Sequence, residues 1–354
     1  MRVVSAWMAC LIALIVLPAS PAAAQGGNTG AATERLRIVG GLAGVNQYTR
    51  QEEPFWTRRF GELTQGRATA EIVPFDRAGL HGQDMARLVQ IGAVPFGTML
   101  LSVSAAIDPE LVAADLAGQS PDCTSLRRSV AAYRPHVEAL LRERYGIELL
   151  AVYTYPAQVT FCNRPLASLA DLAGRRVRIS SASQADLVRA LGGTPVQTAF
   201  ADIVASLRKG NIDCAITGTM SGNTIGLHEV TSHILDLPIT WGLAAFVANG
   251  QAWKNLSPEV KTVLRRELPE LESAIWSESE RETQEGIACN TGTSDCITGR
   301  KGNMTLVRAS AADLRRRQEL LVQTVLPAWF KRCGPACVQL WNQTLAPVAG
   351  RQPR

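Results

Sequence analysis

Residues 175–218, RRVRISSASQADLVRALGGTPVQTAFADIVASLRKGNIDCAITG, decide the fold class. The stretch opens on a strand pattern: Val177 and Ile179 alternate with Arg176, Arg178 and Ser180 on the opposite face. SQADLVRALGG reads as a helix with a glycine end. TPVQTAF leads into ADIVASLRKG, a second helix closed by Gly210, and IDCAITGT is a strand again. Strands alternating with short helices make an α/β unit. The unusual feature is Arg178, a guanidinium in the middle of a strand, which is either surface charge or aimed at something.

The same grammar extends outward. AQVTFCNRP is a strand and ASLADLAG a short helix with Ser168 as a possible cap; HILDLP and GLAAFVAN are further strands. Before them, RLRIVGGLAG, RATAEIVPFD, AVPFGTMLLSVS and IELLAVYTYP read as strands, with helical segments between them, including a long one ending at Gly146. This order predicts largely parallel pairing. Two adjacent α/β units, the second returning to the first, predict a bilobed protein. Lobe I is expected over 34–156 plus 243–272, and lobe II with the C-terminal region over 157–242 plus 273–354. The longest helix starts after Ser257, a good N-cap, with Pro258 in the first helical position. Val260, Val263, Leu264, Leu268, Leu271, Ile275 and Trp276 form one apolar stripe, interrupted by Pro269, where a kink is expected. At about 28 residues it would run roughly 40 Å, enough to cross between lobes.

The N-terminus reads as an export signal: Arg2, an apolar run to Leu17, then SPAAAQ with cleavage expected after Ala24. Residues 25–33 are a flexible leader. Hydrophobic residues are 46% and charged residues 19% of the chain, a balance with ample core. The net charge of +5 comes with no basic run of five or more and no aromatic interleaving, which argues against nucleic acid. Export makes disulfides plausible. Cys289 and Cys296 close a short loop, Cys333 and Cys337 another, and Cys162 with Cys214 is a third possible pair if their strands meet. With Cys123 there are seven cysteines after the signal, an odd number, so at least one thiol stays free or pairs outside the chain.

No catalytic or metal constellation emerges. HEVTSH (residues 228–233) is one residue too long for a zinc-protease motif, and i,i+5 side chains on a helix lie about 140° apart. Gly218–Gly222 spells G-x-x-S-G rather than G-x-S-x-G, so Ser221 lacks a nucleophile elbow. No G-x-G-x-x-G opens a helix, and no cofactor is implied. An exported bilobed α/β protein without such groups is a binder, with its site between the lobes.

Residues 166–215 resemble the central region of the periplasmic solute-binding receptors of tripartite ATP-independent periplasmic (TRAP) transporters. EIVPF with GQDMARLVQIGAVPFG, and NGQAWKNLSPEVKTVL, are similar to flanking regions of that family. The resemblance implies a type II periplasmic binding protein, two α/β domains joined by crossover strands and a long helix. It would close on a small organic acid and deliver it to membrane permease subunits without transforming it. The resemblance also places Arg178 in the cleft, facing the ligand carboxylate, a role suited to a planar fork of donors on a strand. Arg175 and Arg176 are expected to be solvated. Phe200 matches an apolar wall, Thr217 a position often held by Asn, and Gln158 a position often held by a second arginine. Ser102 and Arg77 are further candidates from the first lobe, and Tyr155 and Trp241 sit near the expected crossovers. One arginine and a glutamine favour a monocarboxylate with an apolar or aromatic body; a dicarboxylate is the second choice. The alternatives are a periplasmic sensor partner and a secreted enzyme on the same scaffold.

Overall fold

A computed structural model of the protein describes residues 33–349; the expected signal and all but the last residue of the leader lie outside them. The chain builds two mixed sheets. The first has the order β2-β1-β3-β10-β4, from β1 (Glu34–Gly40), β2 (Ala68–Pro74), β3 (Phe96–Leu100), β4 (Ile147–Thr154) and β10 (Leu243–Asn249). The second has the order β11-β9-β5-β8-β6-β7, from β5 (Gln158–Cys162), β6 (Arg176–Ile179), β7 (Thr194–Gln197), β8 (Cys214–Gly218), β9 (His233–Thr240) and β11 (Thr305–Arg308).

Pairing is less parallel than the sequence suggests. β1 is parallel to β2 and β3, and β6 to β7 and β8. β10 runs antiparallel to both β3 and β4, and β5 antiparallel to both β8 and β9. The reason is topological. β4 continues into β5 and β9 into β10, so each sheet receives a strand arriving from the other. TPVQ, a lead-in by its sequence, is the edge strand β7, where Pro195 is tolerated. β11 lies outside the sequence reading; it extends the second sheet beside β9.

Five longer helices matter below: α1 (Cys123–Tyr145), α2 (Ala182–Ala190), α3 (Pro258–Thr291), α4 (Ala311–Leu320) and α5 (Pro335–Ala349). Local chemistry sets their ends. Asp122 accepts the Ser125 N–H and Gly146 closes α1 in the left-handed region. Ser181 accepts the Gln184 N–H at the start of α2. Ser257 caps α3, Pro258 follows, and the helix runs unbroken past Pro269 for 34 residues, about 50 Å. The segment after 273 serves both sheets. β11 belongs to the second, whereas α5 packs on α1 beside the first.

The two crossovers are held by side chains from elsewhere in the chain. On α3 the Trp276 indole donates to the Val152 carbonyl at 2.8 Å, Ser279 Oγ donates to the Thr154 carbonyl at 2.7 Å, and Thr283 Oγ1 accepts the Ala157 N–H at 3.0 Å. Further along, Gly286 meets the backbone of 219–220 so closely that a Cβ would lie 2.3 Å from the Met220 nitrogen. The return crossover is gripped by Asp115, whose carboxylate accepts the Trp241 N–H at 3.0 Å and the Gly242 N–H at 2.7 Å. Tyr155 N–H donates to the Gly242 carbonyl, joining one crossover to the other.

All three expected cysteine pairs are bonded. Cys162–Cys214 staples facing residues of β5 and β8, Cys289–Cys296 pins the turn after α3, and Cys333–Cys337 ties α5 to the preceding helix. Cys123 is free and buried.

Two buried carboxyls give stability a pH dependence. Burial raises Asp115 from 3.8 to about 7, and burial raises Glu52 from 4.5 to about 7 although Thr98, Gln47 and Gly41 donate to it. Between the unfolded and folded values the native state keeps protons that the unfolded chain has released. Stability therefore falls as pH rises through this window and levels off above it. The melting temperature is expected to be higher near about pH 5.5 than near about pH 8. The double variant Asp115→Asn, Glu52→Gln should lose the larger part of that difference in thermal unfolding, leaving the share of Glu282, also raised by burial to about 7. A double variant with the wild-type pH profile would rule these carboxyls out.

Candidate functional site

A cavity of about 260 Å³ lies where the two sheets face each other, near the lower end of the size of small-molecule pockets. From the first sheet's side it takes Leu42 and Val45 after β1, Phe75 after β2, residues 81–83, and Leu100, Ser102 and Val103 at the end of β3. From the second it takes Gln158, Arg178, Ser180, residues 197–200, Thr217, Gly218 and Ser221; Tyr155 and Gly242 come from the crossovers, and Leu243 opens β10. These are mostly positions at or just beyond the carboxyl ends of parallel strands, where α/β sheets leave a crevice. A second space of about 580 Å³ adjoins it, sharing Gln83, Ser102, Val103, Ser180 and Gln197 as walls.

Arg178 is the electrostatic centre. It is 5% exposed, and among the described residues no carboxylate pairs with it. Its Nε donates to the Thr198 carbonyl at 3.0 Å and one Nη to the Ile216 carbonyl at 2.8 Å. A guanidinium has five N–H donors, so these two bonds aim it without satisfying it. Burial lowers its pKa to about 10, leaving it charged at neutral pH. No Asp, Glu or Lys lines the cavity. Such a cavity favours an anion. Arg176, two residues back, forks onto Asp213 at 2.9 and 3.1 Å; Arg175 donates to the carbonyls of Arg164 and Pro165.

Around Arg178 the walls are hydroxyls, amides and apolar surface. Thr217 is buried on β8 and Phe200 half-buried beyond β7, both on the cavity. Ser102 lines it from the first lobe, and Tyr155 forms a wall with its phenol buried near Gln47. Gln158 opens β5. Its Oε1 accepts from Gln184 Nε2 at 2.7 Å and from Thr240 Oγ1 at 3.1 Å.

Two expected residues stand elsewhere. Trp241 is buried away from the cavity, its indole donating to the Ser120 carbonyl at 3.2 Å; its neighbour Gly242 is the lining residue. The chain turns at Gly242, where φ is positive, so strand alternation does not carry through and a one-residue offset decides which neighbour meets the cavity. Arg77 is exposed in the turn after β2, where its N–H closes on the Pro74 carbonyl. Sequence reasoning misses Ser180 and Ser221 as lining residues. Ser180 has a signal, since it follows Arg178 by two on one strand face. Ser221 draws notice in the sequence only as a nucleophile. Leu42, Val45 and Phe75 carry no local signal, because only the packing of β1, β2 and β3 brings them together.

Gly242 is required twice over. Its φ is +84°, and a Cβ there would lie 2.5 Å from Gln158 Nε2. Gly242→Ala should destabilise the protein by about 1–3 kcal/mol and displace the Gln158 amide. Adding Gln158→Ala removes the clash but not the backbone strain. Urea unfolding of the two single variants and the double should therefore show a favourable coupling, and strict additivity would separate the two residues.

The family model of the bacterial extracellular solute-binding proteins, family 7, matches residues 42–292, well over half of the chain. The ectoine-binding periplasmic protein TeaA of Halomonas elongata is 26% identical over 120 residues, 34% of this chain; the chain spans about a third of the length of that relative. Among solved structures, the Bordetella pertussis extracytoplasmic solute receptor DctP7, which binds pyroglutamic acid, superposes with a TM-score of 0.78 at 20% identity, covering 88% of this chain and 99% of its own. A TRAP periplasmic solute-binding protein from Desulfovibrio salexigens, with bound orotic acid, gives 0.77 at 15% identity, over 89% and 100%. Likenesses at this identity establish the bilobed fold.

Proposed function

We propose that this chain, which belongs to the bacterial extracellular solute-binding proteins of family 7, is the periplasmic receptor of a TRAP transporter and captures a small monocarboxylate for delivery to membrane permease subunits. The observation that carries the reading is the buried Arg178 guanidinium, facing a cavity lined by no acidic residue. A carboxylate is the planar anion that a guanidinium holds with two parallel bonds. With a single arginine on the cavity wall, a second carboxylate on the ligand would meet no second Arg or Lys. The body is then neutral, resting on Phe200, Phe75, Leu42 and Val45. The two superposed receptors fit this pattern, since pyroglutamic and orotic acids each carry one carboxylate on a ring with amide groups.

Capture is expected to close the cleft about the two crossovers. The receptor role also explains the N-terminal export pattern: the folded chain would work in the periplasm after removal of residues 1–24.

A thermal-shift screen of monocarboxylates and matched dicarboxylates tests the reading, because a ligand stabilises the state it binds. Monocarboxylates with ring bodies should raise the melting temperature, and Arg178→Ala should weaken the best of them by about 2–5 kcal/mol, roughly 30- to several thousand-fold. A best ligand with two carboxylates overturns the monocarboxylate reading. An Arg178→Ala variant binding within about threefold of wild type removes Arg178 from the site.

A further inference from the structure

We propose that Gln184 is a positioning residue: it holds the Gln158 amide with its NH2 toward the cavity, so that the receptor prefers carboxylates whose body carries a hydrogen-bond acceptor. The inference rests on the reading above and deepens it.

The orientation of a glutamine amide follows from its partners, and here one partner leaves no choice. The backbone N–H of Ser180 can only donate, and it points at Gln184 at 2.8 Å. That atom of Gln184 is therefore its oxygen. The other end of the Gln184 amide is NH2, and it donates to Gln158 at 2.7 Å and to Thr240 Oγ1 at 2.7 Å. The Gln158 atom it meets must be an oxygen. Thr240, having accepted, turns its own proton to the same oxygen at 3.1 Å, and Ser180 Oγ approaches it at 3.4 Å. Reversing Gln158 would set NH2 against NH2 and leave buried Gln184, 1% exposed, with unmatched donors.

Gln158 Nε2 is thereby left without a hydrogen-bond partner among the described residues, on the cavity wall above Gly242. The three residues that fix it stand on rigid places: Ser180 just past the end of β6, Gln184 in the first turn of α2 and Thr240 at the end of β9. Among the donors on the cavity wall, those of Arg178 and those of Gln158 are aimed by hydrogen bonds behind them. A ligand that places a carboxylate on the first and a ketone, lactam or ester oxygen on the second satisfies both. A donor N–H at that second point meets another donor.

Gln184→Glu tests this directly. The new carboxylate still accepts from Ser180, but its other oxygen now accepts where NH2 donated. Gln158 should turn over, giving its NH2 to the introduced carboxylate and its carbonyl to the cavity. The probes are 3-oxocyclopentane-1-carboxylate, which adds one acceptor, and cyclopentanecarboxylate, which has none; calorimetric titration gives the ratio of their affinities. The added charge acts on the carboxylate common to both and cancels in the ratio. Wild type should favour the oxo acid by about tenfold, a single well-made hydrogen bond. The ratio should fall to about one or below in Gln184→Glu, and lie between in Gln184→Met, where the amide is untethered. A purely structural role would weaken both probes together and leave the ratio alone, which overturns the proposal.

Side-chain amide exchange by NMR supplies a reading without ligand, the Gln158 signals being assigned by their loss in Gln158→Met. Exchange of the Gln158 NH2 should be fast and that of Gln184 slow in wild type, and the Gln158 NH2 should become slow in Gln184→Glu. Equal protection of both amides in wild type overturns the proposal. If neither probe binds wild type while the exchange pattern holds, the carboxylate reading has failed and the amide orientation stands.

Discussion

A guanidinium held out of water with only two carbonyl oxygens against it is the constraint on which the cleft is built. Arg178 cannot neutralise readily: burial brings its pKa only to about 10. Nor is it paired, since the nearby acid Asp213 is taken by Arg176. The short strand β6 thus separates two neighbouring arginines into different electrical worlds. One is a surface ion pair worth little to stability. The other is a buried charge with no carboxylate partner among the described residues, which an anion in the cavity would offset on the proposed reading.

That charge sits in the second sheet, while much of the apolar wall comes from the first. The cleft depends on the crossovers keeping those two surfaces in register, and each crossover is tied by side chains from outside it. Trp276, Ser279 and Thr283, about one helical turn apart on α3, follow the β4 to β5 passage along its backbone. Asp115 holds the β9 to β10 passage by two consecutive N–H groups. Backbone bonds to side chains on fixed elements hold both passages in register between the two sheets.

Much of this is legible in the sequence, and the failures are physical ones. Strands and helices of the second unit can be read because their periods differ and their ends carry Ser, Pro and Gly. Strand direction cannot, since alternation looks the same along either direction; the expectation of largely parallel pairing therefore misses the antiparallel β5 and β10. Arg178, Gln158, Thr217 and Phe200 are singled out by the family resemblance, and the first three lie on strands that keep their register. Trp241 and Arg77 lie in a crossover and a turn, where one residue reverses a side chain and no period corrects the count. Leu42, Val45 and Phe75 come from separate strand ends, and only the strand order brings them to one wall.

The pairing of Arg178 with Gln158 shows how a site can lose a charge and keep its donors. An arginine at each position would present two cations and call for two carboxylates. Glutamine is ambivalent by itself, with one end accepting and the other donating. Here Gln184, Thr240 and Ser180 crowd onto its oxygen, so only the donating end faces the ligand. On the proposed reading, glutamine in place of a second arginine lowers the charge asked of the ligand without changing the sense of the hydrogen bond. The proposed selectivity then rests less on Gln158 itself than on the buried amide behind it, whose own orientation is dictated by one backbone N–H at the carboxyl end of β6.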